Sequence, residues 1–179
     1  MSYSRNFGMR SFENVVRDGR FRVPATGTPF KIGAPVTIDP ANPGRLKAAA
    51  DGGAPGAASG LVIFEHIQNK SDALVTNVDA PYDQVPLGQY AQMMHGPGAK
   101  VWFKNTADKA LYDGRTQPGN DPISTDVETL AIGDGLVPDG AGGFRKTDGT
   151  DAAGTGGDAW LVVEQVNPST GLVEARLTF

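Results

Sequence analysis

Cysteine is absent from this chain, which excludes a disulfide framework, a thiolate metal site and a thiol nucleophile, and leaves the redox compartment undetermined. Histidine is scarce: His66 lies inside an apolar run and His95 in a Gly/Pro turn. Two isolated histidines with no His-Glu-x-x-His pairing make no metal site, so a structural or surface role is the reading for each. Long hydrophobic stretches are missing too. No apolar run approaches the roughly 20 residues of a membrane-spanning helix, and no apolar signal core follows the first basic residues, so the expectation is a soluble, unprocessed chain. Charged residues make up only 20% of the chain and the net charge is −4. No global basic field favours nucleic acid or an anionic membrane, and neither is expected as a partner.

The motifs of common enzymes are lacking as well. No serine sits in a Gly-x-Ser-x-Gly elbow, and Gly154-Thr155-Gly156-Gly157 lacks the Lys and Ser/Thr of a phosphate loop. Asp148 and Asp151 lie in turns with no apolar pocket to raise one carboxyl pKa. The acidic residues between Asn105 and Asp126 are too irregularly spaced for a calcium loop. The expectation is a protein that is not an enzyme and has no cofactor and no metal. Of the two tryptophans, Trp102 and Trp160, both lie in apolar strand runs; core packing is the expected role and a sugar-stacking platform the alternative.

What is present is punctuation. Twenty-four glycines and 13 prolines separate short Val/Ile/Leu/Phe runs, a pattern that predicts an all-β protein. At 179 residues the chain suits one domain or two small lobes, long enough to bury a core.

One stretch organises the rest. Ile32-Gly33-Ala34-Pro35-Val36, Gly44-Arg45-Leu46-Lys47, Asp51-Gly52 and Leu61-Val62-Ile63-Phe64-Glu65-His66-Ile67 occur in that order. About a hundred residues later Ile132-Gly133-Asp134-Gly135-Leu136-Val137, Gly143-Phe144-Arg145-Lys146, Asp148-Gly149 and Trp160-Leu161-Val162-Val163-Glu164-Gln165-Val166 follow the same order. Four landmarks with small drifts confined to turns predict a repeated β-hairpin module, near 32–67 and 132–166. Chance recurrence of common Gly and Asp-Gly steps is the alternative.

The first 30 residues differ from the remainder. Arg5, Arg10, Arg17, Arg20 and Arg22 oppose only Glu13 and Asp18, a net +3, whereas residues 31–179 carry −7. Phe7, Phe12 and Phe21 stand among the arginines, and arginine with aromatics is enriched at protein interfaces. Residues 1–30 are therefore expected to form an extended cationic arm on a β-rich body, 31–179. Arg5, Phe7, Arg10, Phe12, Arg17, Arg20, Phe21 and Arg22 are the candidate contact residues. A solvated, disordered terminus is the alternative, and 11–17 has the composition for a helical turn or two.

Along the body, Pro35-Val36-Thr37-Ile38 predicts a strand, 39–44 a turn, and Arg45 to Ala48 its hairpin partner. The small-residue tract 48–60 predicts a loop, with a short helix from Ala54 as an option. Leu61 to Ile67 is a strand buried on both faces. Leu74 to Val78, Leu87 to Met94 and Lys100 to Lys104 have strand composition, and 105–126 is a long surface excursion. In the last segment Val173, Ala175, Leu177 and Phe179 alternate with Leu172, Glu174, Arg176 and Thr178, the period of a half-buried strand pinned in the sheet.

The Ile-Gly-x-Pro-Val start, the Gly-Arg-Leu-Lys hairpin, the Ala/Gly-rich Asp-Gly segment and the return at Gly60-Leu61-Val62-Ile63 resemble the small capsid decoration, or cement, proteins of tailed bacteriophages, the group that includes the lambda-type head decoration protein. The similarity is carried best by 31–67 and more loosely by 132–179; the length, the duplication and the Arg-rich arm depart from the smallest members. The resemblance implies a barrel-like, β-tulip-type body that trimerises on the outside of the mature head at three-fold or quasi-three-fold sites and binds the major capsid protein, in the virion. In that setting the arm lies along a capsid or neighbouring cement subunit, and deleting residues 2–22 is expected to weaken shell binding while leaving the body folded. Another virion component such as a tail or head fibre, a host-surface carbohydrate-binding module and, last, a hydrolase are the other readings.

Overall fold

The computed structural model describes residues 7–9, 15–63, 84–85, 87–105, 122–148, 150–151 and 159–179. These residues are all-β apart from a single 3-10 turn, Val127–Thr129, whose cap is Asp126 accepting from the Glu128 N–H at 3.1 Å. The strands are β1 (Phe7–Met9), β2 (Val16–Arg22), β3 (Phe30–Lys31), β4 (Pro35–Ile38), β5 (Leu46–Ala48), β6 (Ser59–Ile63), β7 (Gln84–Val85), β8 (Tyr90–His95), β9 (Lys100–Lys104), β10 (Gly135–Pro138), β11 (Phe144–Lys146), β12 (Leu161–Asn167) and β13 (Leu172–Leu177). One sheet runs β1-β9-β13-β12-β10-β11 and a second β2-β8-β6-β4-β5, with β3 and β7 a separate pair; all ladders are antiparallel.

The two copies of the sequence pattern fold as one three-stranded unit built twice. In the first, β4 pairs with β5 on one side and β6 on the other; in the second, β10 pairs with β11 and β12. Val36 faces Gly60 as Leu136 faces Leu161, and Thr37 faces Lys47 as Val137 faces Arg145. The tight turns before the units also match. Gly33 (φ +86°) and Gly133 (φ +94°), in a left-handed conformation that glycine adopts without a Cβ clash, donate their N–H groups to Val62 at 2.7 Å and Val163 at 2.8 Å. In the hairpin turns Asp39 accepts from the Ala41 N–H at 3.0 Å and Asp139 from the Ala141 N–H at 2.8 Å, the side-chain turn that favours aspartate there. Register aligns Leu46 with Phe144, one place away from the alignment of the two Gly/basic motifs. Because strand side chains alternate, that single step decides which residue is inside: Leu46 and Phe144 are both fully buried, while Lys47 is exposed and Arg145 part-exposed.

Two cores result. Val36, Leu46, Val62, Ala91 and Met93 fill the concave side of the five-stranded sheet. Leu61, Ile63 and Met94, from that sheet's other face, join Val101, Phe103, Val173 and Leu177 of the six-stranded sheet in the larger cluster. The β6 strand is thus buried on both faces, as its unbroken apolar run predicts, over its described length to Ile63. Phe103, Phe144, Trp160 and Phe179 pack edge to face, with centroids 5.6, 6.5 and 5.0 Å apart in succession. Burial of side chains of this size contributes about 1.5–3 kcal/mol each. The first copy is tied to the second through its 50–53 loop: the Gly52 N–H donates to Pro138 at 3.0 Å and the Trp160 indole N–H to Gly53 at 2.7 Å.

Several expectations meet structure here. The tract 48–60 contains the end of β5 at Ala48 and the start of β6 at Ser59 and otherwise runs as loop, with no helix from Ala54. Within 1–30, β1 lies along β9 and β2 along β8, so Phe7–Met9 and Val16–Arg22 are edge strands of the two sheets, while 23–29 is irregular and Phe30 begins β3. Val16 and Arg17 are strand, not helix, because β8 offers them a ladder and a short isolated helix has no such support. At the other end Val173, Ala175 and Leu177 are buried, and the Phe179 carbonyl accepts from the Gly96 N–H at 2.9 Å. Residues 64–83 and 106–121, on which the expected Leu74–Val78 strand, His66 and most of the expected surface excursion fall, lie outside the described residues.

Candidate functional site: a cationic cleft

The five-stranded sheet curls until its two edge strands meet. Arg22, the last residue of β2, forms a parallel bridge with Arg45, which precedes β5, and the Arg22 N–H donates to the Gly44 carbonyl at 2.8 Å. Between them opens a shallow cleft of about 500 Å³, lined by Arg22, Tyr90 and residues 41–45. Tyr90 pairs with Arg22 across the β2/β8 ladder, and the guanidinium sits 5.9 Å from the ring centroid, a cation–π distance. The Arg22 Nε–H also donates to the Gly88 carbonyl at 3.2 Å, which fixes the side chain over the ring. Tyr90 is 54% exposed, one of the few large apolar side chains that the described residues leave in solvent.

The far wall is a hydrogen-bonded turn. The Asp39 carboxylate accepts from the Asn42 amide at 3.1 Å and the Ala41 N–H at 3.0 Å, the Asn42 N–H donates to the Asp39 carbonyl, and the Arg45 N–H returns to the Asn42 carbonyl at 2.8 Å. The Asn42 hydrogen bond, then that from Ala41, holds the Asp39 carboxyl below its ordinary range, with weaker help from Lys47 and Arg45. Asp39 is thus occupied in building the turn. Among the described residues neither Arg22 nor Arg45 has a carboxylate within ion-pair distance.

Of the residues expected to make contacts, Arg22 lies in the cleft. Arg17 is exposed on the β2 edge strand, opposite Met94 of β8, and Phe21 packs against the core of the five-stranded sheet. Phe7 and Arg20 lie in strands, and Arg5, Arg10 and Phe12 fall outside the described residues. Arg45 and Tyr90 were missed: each reads locally as part of a hairpin or a strand, and only long-range pairing brings them to Arg22. Trp102 corrects an expectation. Trp160 is 1% exposed in the core, but Trp102 alternates with buried Val101 and Phe103 and lies half-buried on the opposite face of β9, between Gly8 and Glu174 of the neighbouring strands. His95 is half-buried at the end of β8. Among the described residues no cluster of three or more His, Asp or Glu side chains is placed to hold a metal ion. The arrangement presents cations and an aromatic ring to solvent.

A scan against protein-family models finds no match to this chain, and a search of curated proteins finds none.

Proposed function

We propose that this chain is a virion structural protein that decorates the mature head of a tailed bacteriophage, binding the outer surface of the major capsid protein as a trimer at three-fold or quasi-three-fold sites. The observation behind the reading is the twice-built hairpin unit, because the residues that carry the resemblance to phage cement proteins are the ones that form it. The cleft adds a contact surface of suitable composition, since arginine and tyrosine are over-represented among residues that dominate binding energies. A protein that binds the mature shell and not its precursor stabilises that shell by mass action. A trimer touching several capsid subunits gains further, because later contacts form at high effective concentration.

The test is sedimentation of the purified protein alone and with undecorated mature heads. Saturable co-sedimentation near three copies per binding position is expected; absence of binding would overturn the proposal.

Trp102 stands behind a second reading, a carbohydrate-binding module, because a half-exposed indole on a sheet face can stack on a sugar ring. A glycan array distinguishes the two: binding that Trp102→Ala abolishes would favour the module.

A further inference from the structure

The repeat exposes what is unusual about the cleft. In the second copy the strand end at Phe144 is closed by a parallel bridge to Ile123, and both side chains are buried. In the first copy the bridge lies one place earlier in the chain, between Arg22 and Arg45, and the structural counterpart of Arg45 in the second copy is Gly143, not the inward-facing Phe144. The unit can therefore be closed by apolar residues, and closing it needs no arginine. Like charges brought to neighbouring strand positions repel. In the second copy the basic residue of the hairpin, Arg145, is taken up by Asp51 and Asp151; in the first, Arg22, Arg45 and Lys47 have no carboxylate within ion-pair distance among the described residues, and Asp39, which feels Lys47 and Arg45 only weakly, is engaged in its own turn.

From this contrast we infer that the Arg22–Arg45–Tyr90 cleft is a docking site for an Asp- or Glu-bearing segment of a protein partner. A side-chain carboxylate placed between the two guanidiniums accepts planar, charge-assisted hydrogen bonds from both and relieves their repulsion. The exposed Tyr90 ring receives the neighbouring apolar or proline side chain, and the turn built by Asp39 keeps the wall in place before binding. A protein carboxylate is favoured over nucleic acid because the charge is local. Residues 31–179 carry −7, a field that repels an extended polyanion but has little effect on a single carboxylate within hydrogen-bond reach.

The inference rests on reading the cleft as a protein contact, and not on the partner being a phage head. Nuclear magnetic resonance of the full chain at low ionic strength tests it, with a capped, amidated Gly-Pro-Asp-Gly-Glu peptide as probe and its Asn/Gln counterpart as control. The acidic peptide is expected to shift the Arg22 and Arg45 Nε–H signals and the Tyr90 ring signals. The neutral peptide should bind about tenfold more weakly, the worth of a charge-assisted hydrogen bond. Equal binding of the two peptides overturns the inference, as does tighter binding of inorganic phosphate or a single-stranded oligonucleotide to the same signals. The Arg22→Gln/Arg45→Gln variant should lose the response; if it folds poorly, the two peptides on the unaltered chain decide alone. Peptide binding that disappears in this variant while its attachment to heads is unchanged would keep the inference and remove the cleft from the head contact. Head binding lost with no peptide response would do the reverse.

Discussion

Arg145 of the second hairpin copy reaches Asp51 of the first, its Nε–H donating to Oδ1 at 2.8 Å, and the same guanidinium binds Asp151. This is the charged part of the seam whose other members are the Gly52 and Trp160 hydrogen bonds. Arg145 is 24% exposed and the Asp151 side chain 5%, so the cluster is better shielded than a surface ion pair, though the 60% exposed Asp51 is well hydrated. Replacing Arg145 with Gln is expected to lower stability by about 1–2 kcal/mol, between the worth of exposed and buried pairs. A urea midpoint equal to that of the unaltered chain would mean the ion cluster adds nothing to the seam.

Acid should weaken the fold in a defined window. The hydrogen bond from Arg145 holds the Asp151 carboxyl below its ordinary value, and that from Lys100, with help from Arg176, does the same for Glu164. A carboxyl whose folded pKa is depressed contributes stability that is full above its unfolded pKa, near 4, and is lost as pH falls through the folded value. The urea midpoint should therefore be level from neutral pH to about pH 5 and fall below about pH 4. Asp151→Asn should start lower and fall less steeply; an equal slope in the variant would clear Asp151 of the effect.

The β12–β13 turn allows no side chain at Gly171. Its φ is +66°, and an added Cβ would lie 2.1 Å from the Asn105 carbonyl oxygen, a backbone atom that cannot swing away. The Gly171 carbonyl also accepts the Asn105 N–H at 2.9 Å, so the turn cannot shift without losing that bond. Gly171→Ala is expected to destabilise by about 2 kcal/mol or more through strain and collision together. A thermal midpoint within a degree of the original would refute the crowding.

Tryptophan emission separates the two indoles. In Trp102→Phe the remaining Trp160, 1% exposed, should emit at short wavelength and resist acrylamide. In Trp160→Phe the half-buried Trp102 should emit further to the red and be quenched readily. The second variant should also lose stability by about 1–3 kcal/mol, since it leaves the Gly53 carbonyl without its indole donor. Equal quenching of the two would show that Trp102 is as enclosed as Trp160.

Truncation of residues 2–22 removes β1 and β2, and with them the Arg22 bridge to Arg45 and the Phe21 contact with the core. The truncated chain should melt at a lower temperature or aggregate, because β9 and β8 become open edges. Cooperative unfolding at the original midpoint would establish that the body needs neither strand. Loss of head binding by this truncation therefore cannot by itself identify a contact; Arg22→Gln is the cleaner variant.

The Leu61 run and the Val173 to Phe179 alternation were legible because apolar periodicity reports burial directly. Trp102 and Phe21 were not. Both stand among residues of their expected class, yet their faces follow from register, and a step of one residue moves a side chain from one side of a sheet to the other.

The all-β class, the doubled hairpin and its turns follow from the amino-acid order alone, because strand period, Asp turns and left-handed glycines are local properties of a few consecutive residues. Long-range packing brings β2 to β5 and Tyr90 to Arg22, and gives the second hairpin's Arg145 its carboxylate partners while Arg45 of the first has none within ion-pair distance among the described residues. Those contacts join residues far apart in the chain, and which strands become neighbours depends on long-range packing into two shared cores, which no local pattern expresses.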